Sequence, residues 1–321
     1  MLKIGSYELP SNIILAPLAG CSDLAFRLIA REHGAKLCFF EMVDNNAIVY
    51  APGIRTDLIL KTLKKDNPIA AQLLGRDPAM MLKGAREIMK MANIAFLDIN
   101  AACPAKKAVK KKTGAYLLKD EKALNTVIKT LAAALPVPIT VKIRIGYDIA
   151  DLKALKKIVK GCEASGASAI FVHGRTRAQG YSGDIDYEAI KVVKDSVKVP
   201  VIGSGNIFTA AAGFEMLAKT GCDGITVARG ALGNPWIFTA LAKKTIAPID
   251  ITVEERIKVL KKHLALLEKH KNCSSSGKIG FMRKVALWYV RGFPNAPQLR
   301  GQISIVKSYP KMLELINTID K

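Results

Sequence analysis

Short apolar runs recur along the chain, each closing on a polar residue, a glycine or a proline: Ile13 to Pro17, Ala35 to Glu41, Ile69 to Leu73, Ala95 to Asn100, Ile139 to Arg144, Ala169 to His173, Val199 to Gly205 and Cys222 to Ala228. Their lengths and continuous hydrophobicity are those of strands buried on both faces. Most intervals between them carry helical periodicity, as in Ala79 to Met91 and Tyr187 to Lys194. Eight successive βα units of similar length predict a parallel (β/α)8 barrel, a TIM barrel, over residues 1–243, with a doubly wound sheet as the structural rival. In such a barrel the functional face lies where strands run into the loops that follow them. The polar strand ends Glu41, Gln72, Asp98, Asn100, Lys142, Arg144, His173, Asn206 and Arg229 therefore become candidates.

Beyond Ala242 the strand pattern stops and the remainder reads as helices. Thr252 with Glu255 makes a capping box, and Val253, Ile257, Leu260, Leu264 and Leu267 follow on one helical face. After Cys273-Ser274-Ser275-Ser276-Gly277 a second helix is expected to run to about Arg291, stopped by Gly292 and Pro294. Pro297 and Pro310 sit where two further short helices would begin. Residues 244–321 are expected to form a four-helix bundle, too small for a second enzyme and large enough to hold a substrate.

Composition sharpens this picture at two points. The 321 residues hold 49 Lys and Arg against 27 Asp and Glu, a formal charge of +22 that lies mostly after residue 100. A polyanionic partner such as RNA is one reading, and a generally Lys-rich composition is the other. With 50% apolar residues the chain folds, and no apolar run approaches the ~18 residues that cross a bilayer. Lys3, Glu8 and Pro10 stand where a signal peptide would have its apolar core, so a soluble, cytoplasmic protein with no membrane contact is expected. Cysteines 21, 38, 103, 162, 222 and 273 include no Cys-x-x-Cys pair and fit neither a disulfide framework nor a zinc site, and no metal is expected.

The interval from Asn100 to Arg144 is the outlier, because the next helical pattern starts only near Asp120. Connections this long are uncommon unless they are lids or binding loops. It carries Cys103 and Pro104, then Lys106, Lys107, Lys110, Lys111 and Lys112. A solvated charge run explains the lysines but not their place beside a thiol on the functional face. A free thiol ionises near about pH 8.5, so at neutral pH it holds a proton that it can give to a carbanionic carbon. Cys38, Cys162 and Cys222 read instead as small buried hydrophobes.

Gly203-Ser204-Gly205-Asn206 and Ala228-Arg229-Gly230 follow strands seven and eight, where TIM barrels frequently hold a phosphate on bare backbone N–H groups, with Arg229 as the cation. Lys142 at the end of strand five needs an anion or an electron-rich acceptor to offset its desolvation. The N1/O2 edge of a reduced flavin offers one, and His173 and Gln72 can hydrogen-bond the same ring system. No Rossmann motif, Ser-His-Asp arrangement, carboxylate pair or His-Glu-x-x-His competes.

Leu15-Ala16-Pro17-Leu18-Ala19-Gly20-Cys21-Ser22-Asp23 with Phe26-Arg27 looks like a flavin loop, and Asp98-Ile99-Asn100-Ala101-Ala102-Cys103-Pro104-Ala105-Lys106-Lys107 like an active-site signature. With Val141 to Arg144, Val172 to Arg177, Gly203 to Ile207, Ala228 to Gly230, Pro235-Trp236 and Met282-Arg283-Lys284 to Trp288-Tyr289, they resemble the tRNA-dihydrouridine synthases, in the form typical of the bacterial B-type branch, over nearly the whole chain.

The resemblance implies an enzyme that binds FMN and uses NADPH to reduce the C5–C6 double bond of particular uridines in tRNA, with hydride passing from flavin N5 to C6 and a proton from Cys103 to C5. Position by position, Pro17, Leu18, Ala19, Gln72, Lys142, His173, Gly203, Gly205, Asn206, Ala228, Arg229 and Gly230 fall on flavin contacts. Asn100 falls on the residue that holds the uracil. Lys106, Arg144, Arg175 and Arg177 fall on the substrate side, and Arg283 and Lys284 on an RNA-binding tail. Residues 1–243 would be the catalytic barrel and 244–321 the tRNA-binding domain; no protein partner is implied.

Two positions depart from the family pattern: Ala102 stands where glycine is usual before the cysteine, and Leu18 where methionine is usual. A glycine serving a positive φ would make alanine strain that loop. Two other readings remain open. A flavin barrel of the dihydroorotate dehydrogenase kind accounts for the barrel and the cysteine but leaves the basic tail unemployed. An RNA-binding protein on a catalytically silent barrel has Ala102 as its support.

Overall fold

The computed structural model describes residues 1–51, 53–247 and 249–319. Eight parallel strands, β1 (Ile13–Leu15), β2 (Leu37–Phe39), β3 (Ile69–Leu74), β4 (Leu97–Ala101), β5 (Ile139–Arg144), β6 (Ala169–His173), β7 (Val201–Ser204) and β8 (Gly224–Val227), pair in chain order. The ring closes because Leu15 of β1 lies opposite both Cys38 of β2 and Val227 of β8, while β2 continues into β3 through Cys38 and Ile69. The architecture is the (β/α)8 TIM barrel that the apolar runs predict. Pro17, Glu41 and Gly205 close their runs just beyond the last ladder residue, at the mouth of the barrel.

The helices around the barrel start on residues that sequence marks as caps. The side chains of Asp23, Asp77, Asp120, Asp151, Asp186 and Thr209 accept backbone N–H groups at the starts of helices Leu24–Glu32, Pro78–Met91, Glu121–Ala134, Leu152–Ala164, Tyr187–Ser196 and Ala210–Thr220. Each such cap contributes about 1 kcal/mol.

Two elements escape the periodicity. A hairpin of two three-residue arms, Leu2–Ile4 and Tyr7–Leu9, buries Ile4 and Leu9 against Phe39, Phe96 and Phe171. These three rings meet with centroids 5.5 to 6.1 Å apart and fill the end of the barrel where the strands begin. The expected open connection before Asp120 is also folded: it forms a short helix, Lys106–Lys110, and a 3-10 turn, Gly114–Lys119. Five residues are too few to show a helical period, so the sequence reads as loop.

The C-terminal region forms helices Val253–His270, Ser275–Tyr289, Ala296–Ile305 and Tyr309–Asn317, the last two with proline in the first turn as expected. The second ends at Tyr289 rather than near Arg291. Thr252 Oγ1 accepts the N–H of Glu255, but the Glu255 carboxylate does not return to the cap. It accepts the indole Nε1–H of Trp236 at 2.9 Å, which ties the bundle to the last barrel helix, Trp236–Ala242. Phe26 packs edge-on against Trp288, and Lys271 pairs with Asp23 at 2.6 Å, both largely buried. No described helix is long and apolar enough to cross a membrane.

Candidate active site

At the mouth of the barrel lies a cavity of about 260 Å³. Among the described residues three cations line it, Lys142, Arg144 and Arg229, and no carboxylate does. Strand register explains part of the arrangement: His173 of β6 lies beside Ser204 of β7, and Ser204 beside Thr226 of β8, and all three reach the cavity. Lys142 of β5 donates to Ser204 Oγ at 3.1 Å. Its burial brings the ammonium down to about 8, with Asp98 opposing the fall and Arg144 adding to it. Burial, then the charges of Lys142, Arg144, Arg175 and Arg229, push His173 down to about 2, so its ring is neutral. His173 Nε2 and Thr226 Oγ1 are buried and have no partner among the described residues.

The loops after β7 and β8 form a second wall. Arg229 lies between the rings of Tyr181 and Phe208, its guanidinium carbon 4.7 and 5.3 Å from their centroids, and donates to Asn206 Oδ1 at 3.4 Å. Asn206 has φ +49° and Gly205 φ +135°. The turn therefore needs residues that tolerate the left-handed region. Among the described residues, the backbone N–H groups of Gly205, Asn206, Ala228, Arg229 and Gly230 have no protein acceptor. Together with Arg229 they make an edge whose donors and charge are of the kind that suits an anion.

Cys103 is half-buried in the cavity lining, on a loop held by its main chain. Its N–H donates to Asn100 Oδ1 at 2.9 Å, and its carbonyl accepts from Ala115 N at 3.0 Å. The carbonyl of Ala102 accepts from Arg144 Nε at 2.8 Å. Ala102 is not among the residues with positive φ, so alanine sits there without the strain its departure from the family pattern raises. A glycine is needed one layer behind: at Gly114, φ +63°, a Cβ would come within 2.8 Å of the Cys103 carbonyl.

Of the residues singled out by sequence, Pro17, Leu18, Ala19, Gln72, Asn100, Cys103, Lys142, Arg144, His173, Gly205, Asn206, Ala228, Arg229 and Gly230 line the cavity. The others lie elsewhere. Gly203 faces outward, where a Cβ would meet Met216 Sδ at 2.6 Å, so it serves strand–helix packing. Lys106 is exposed at the start of the short helix Lys106–Lys110. Arg175 is buried with Nε and Nη2 on the Gly183 carbonyl, and Arg177 lies over the Tyr147 ring. Arg283 Nε donates to the Val306 carbonyl at 2.6 Å, and Lys284 to the Gly20 carbonyl just beyond Pro17 to Ala19.

Sequence reasoning missed Ser204, Thr226, Met42, Tyr181 and Phe208, all of which line the cavity. Strand alternation with His173 was an available signal for Ser204, and the Gly180-Tyr181-Ser182-Gly183 turn for Tyr181. Met42 and Phe208 carry no local signal.

Known proteins resemble this chain in sequence and in fold. The dihydrouridine synthase (Dus) family matches the chain over residues 14–320. A probable tRNA-dihydrouridine synthase of Rickettsia conorii is 36% identical over 315 residues, covering 95% of this chain and 92% of that protein. The tRNA-dihydrouridine synthase B of Pseudomonas syringae is 35% identical, covering 94% and 88%, and that of Pasteurella multocida 34%, covering 95% and 91%. Among solved structures, the old yellow enzyme from Trypanosoma cruzi has a TM-score of 0.59 at 13% identity, covering 79% of this chain and 94% of that one. Histamine dehydrogenase from Rhizobium has a TM-score of 0.60 at 13% identity, covering 83% and 50%. These two likenesses bear on the barrel fold alone. By sequence along almost its full length, the chain belongs to the dihydrouridine synthase family.

Proposed function

We propose that this protein is a cytoplasmic tRNA-dihydrouridine synthase that holds FMN in the barrel mouth and uses NADPH to reduce the C5–C6 double bond of a uridine in tRNA. One observation carries the reading: the Cys103 thiol and three cations, Lys142, Arg144 and Arg229, line a single cavity that takes no carboxylate from the described residues.

The residues present fit the cofactor. The unpartnered N–H groups of Gly205, Asn206, Ala228, Arg229 and Gly230 and the Arg229 guanidinium suit a phosphate. The unpartnered Nε2 of neutral His173, the hydroxyl of Thr226 and the Lys142 ammonium suit the heteroatoms of an isoalloxazine ring. When bound, the flavin supplies the hydride for C6, drawn from NADPH.

The chain's own groups do the rest. Lys142 would supply positive charge to the ring and Cys103 the proton for C5, while bonds to Asn100 and Ala115 hold the main chain that carries the thiol. Asn100 has its Oδ1 on two backbone amides and one Nδ2 hydrogen on Gln72, while the other lies on the Met42 sulfur at 3.0 Å. A thioether is a weak acceptor, so a uracil carbonyl displaces it. The target base must leave its stack at a cost of a few kcal/mol, offset by basic contacts to phosphates. Lys106 on its short helix and Arg283 on the bundle supply such contacts, with residues 1–243 as the catalytic domain and 244–321 as the tRNA-binding one. Arg144, Arg175 and Arg177 act here by shaping the mouth through their protein partners.

The test is anaerobic. The purified holoenzyme is reduced with NADPH, mixed with an unmodified tRNA transcript, and flavin reoxidation is followed while dihydrouridine is mapped. Rapid reoxidation with dihydrouridine at a defined position is expected; reoxidation by orotate but not tRNA refutes the reading.

The Lys142 charge adds a pH dependence. Its pKa lies below that of an ordinary lysine, so the charged form is present at low pH and is lost as pH rises through about 8, or higher once an anion is bound. Reduction by NADPH is therefore expected to slow through a single ionisation at or above pH 8. Lys142→Met should be slow and flat across that range in stopped-flow measurement; an unaltered profile in the variant removes Lys142 from this role.

A further inference from the structure

Behind the cysteine loop, four buried polar side chains form one chain of hydrogen bonds whose donors all point toward Asp98. Register sets Gln72 of β3, Asp98 of β4 and Thr140 of β5 side by side. Thr140 Oγ1 donates to Asp98 Oδ1 at 2.6 Å, and Gln72 Nε2 donates to Asp98 Oδ2 at 2.7 Å. The Gln72 Oε1 so freed accepts from Asn100 Nδ2 at 2.7 Å. Asn100 Oδ1 in turn accepts the N–H groups of Ala102 at 3.1 Å and Cys103 at 2.9 Å. Thr140 and Asp98 are fully buried, with Gln72 and Asn100 at 2% and 6% exposure.

Donor direction in this chain is not arbitrary. An ionised carboxylate only accepts, so Gln72 must turn its NH₂ toward Asp98 and its oxygen toward Asn100. Asn100 must then turn its oxygen toward the loop amides. Burial raises the Asp98 carboxyl to about 6, opposed by its hydrogen bonds to Thr140 and Gln72 and by Lys142, so it is ionised at neutral pH. Asp98 itself does not reach the cavity.

We propose that Asp98 is a positioning residue for Cys103: it is the fixed acceptor at the far end of a directional relay, Asp98–Gln72–Asn100, that holds the backbone amides of the thiol-bearing loop. The functional part of this inference rests on Cys103 being the proton donor of the proposed reaction; the relay itself does not.

The test transposes the carboxylate. Asp98→Asn alone leaves the relay without its anionic acceptor, and Asn100→Asp alone puts acceptors at both ends of Gln72. In the double variant the direction reverses: the carboxylate, now on the fourth strand's outer position nearest the loop, accepts from the loop amides and from Gln72 Nε2, while Gln72 Oε1 accepts from the side-chain amide that has replaced the original carboxylate. At pH 8, each single substitution is expected to speed hydrogen exchange of the Ala102 and Cys103 amides about tenfold and to lower the urea midpoint. The double variant is expected to recover most of both losses. Losses that simply add in the double variant overturn the proposal. If a single variant does not fold, a folded double variant is the same recovery, and an unfolded one overturns the proposal.

A functional arm runs beside it. Asp98→Asn should lower tRNA-dependent kcat about tenfold with the KM for tRNA unchanged, and an unchanged kcat overturns the positioning role. Cys103→Ala is measured in parallel: if its turnover is intact the proposed reaction fails, whereas the exchange data still judge the relay.

Discussion

Cys103→Ala is expected to slow reoxidation of the NADPH-reduced enzyme by tRNA about 10²- to 10⁴-fold, the usual worth of a positioned acid. Flavin content and its reduction by NADPH should stay as in the native protein. The separation is expected because the loop is held by main-chain groups that alanine keeps: the Cys103 N–H on Asn100, the Cys103 carbonyl on Ala115 N, and the Ala102 carbonyl on Arg144. Removing Sγ therefore removes the proton without moving the loop. Among the described residues no carboxylate lines the cavity to replace it, and His173 is neutral with its pKa pushed far down, so it makes a poor substitute acid. Cys103→Ser should recover little, since a hydroxyl gives up its proton far less readily than a thiol. Stopped-flow traces under anaerobic conditions separate the two half-reactions. Native-like reoxidation in the alanine variant would remove Cys103 from the mechanism.

Asp66→Ala is expected to lower the free energy of unfolding by about 3–5 kcal/mol, the cost of leaving a buried charge without its partner. Asp66 is fully buried and accepts from Arg27 Nε at 2.9 Å and Nη2 at 2.8 Å, from Arg31 Nε at 2.9 Å and from Thr62 Oγ1 at 3.2 Å. Arg27 is equally buried, so without Asp66 its charge keeps only the carbonyls of Ser22 and Lys61 and the face of Phe40. Arg27→Met should cost less, because Asp66 retains Arg31 and Thr62 while the new side chain is apolar. The consequence extends to the site. Arg27 anchors Ser22, whose hydroxyl accepts the N–H of Leu18 at 3.0 Å, so Asp66→Ala should also weaken flavin retention. Urea unfolding and flavin release measure the two effects; a loss below about 1 kcal/mol would show that this cluster carries little of the fold.

The barrel was legible because its signal is local and repeated. Each strand is an apolar run with a polar stop, and most of the following longer helices open on an aspartate or threonine cap, as at Asp77, Asp120 and Asp186. The hairpin at Leu2–Ile4 and Tyr7–Leu9 was not, since three-residue arms are shorter than any period that marks a strand. The turns at Gly205 and Arg229, which line the cavity, were legible because the fold says where such turns matter. The same reasoning took in Gly203, one residue away, although alternation along β7 turns it outward to Met216 and turns Ser204 into the cavity.

Sequence by itself determined the eight-strand order, the helical C-terminal region, the thiol on the long connection and the cationic strand ends, all of which follow from residue type and short-range spacing. Only the tertiary structure decided which long side chains face the cavity and which are engaged by the protein. Arg144, Arg175 and Arg177 stand at strand ends or in the loop that follows, but the carbonyls of Ala102, Thr176 and Gly183 and the ring of Tyr147 determine where they point. Those groups come from loops brought together by barrel closure. The direction of the Asp98–Gln72–Asn100 relay likewise depends on three strands lying in register, and no local pattern encodes which end of an amide faces its neighbour.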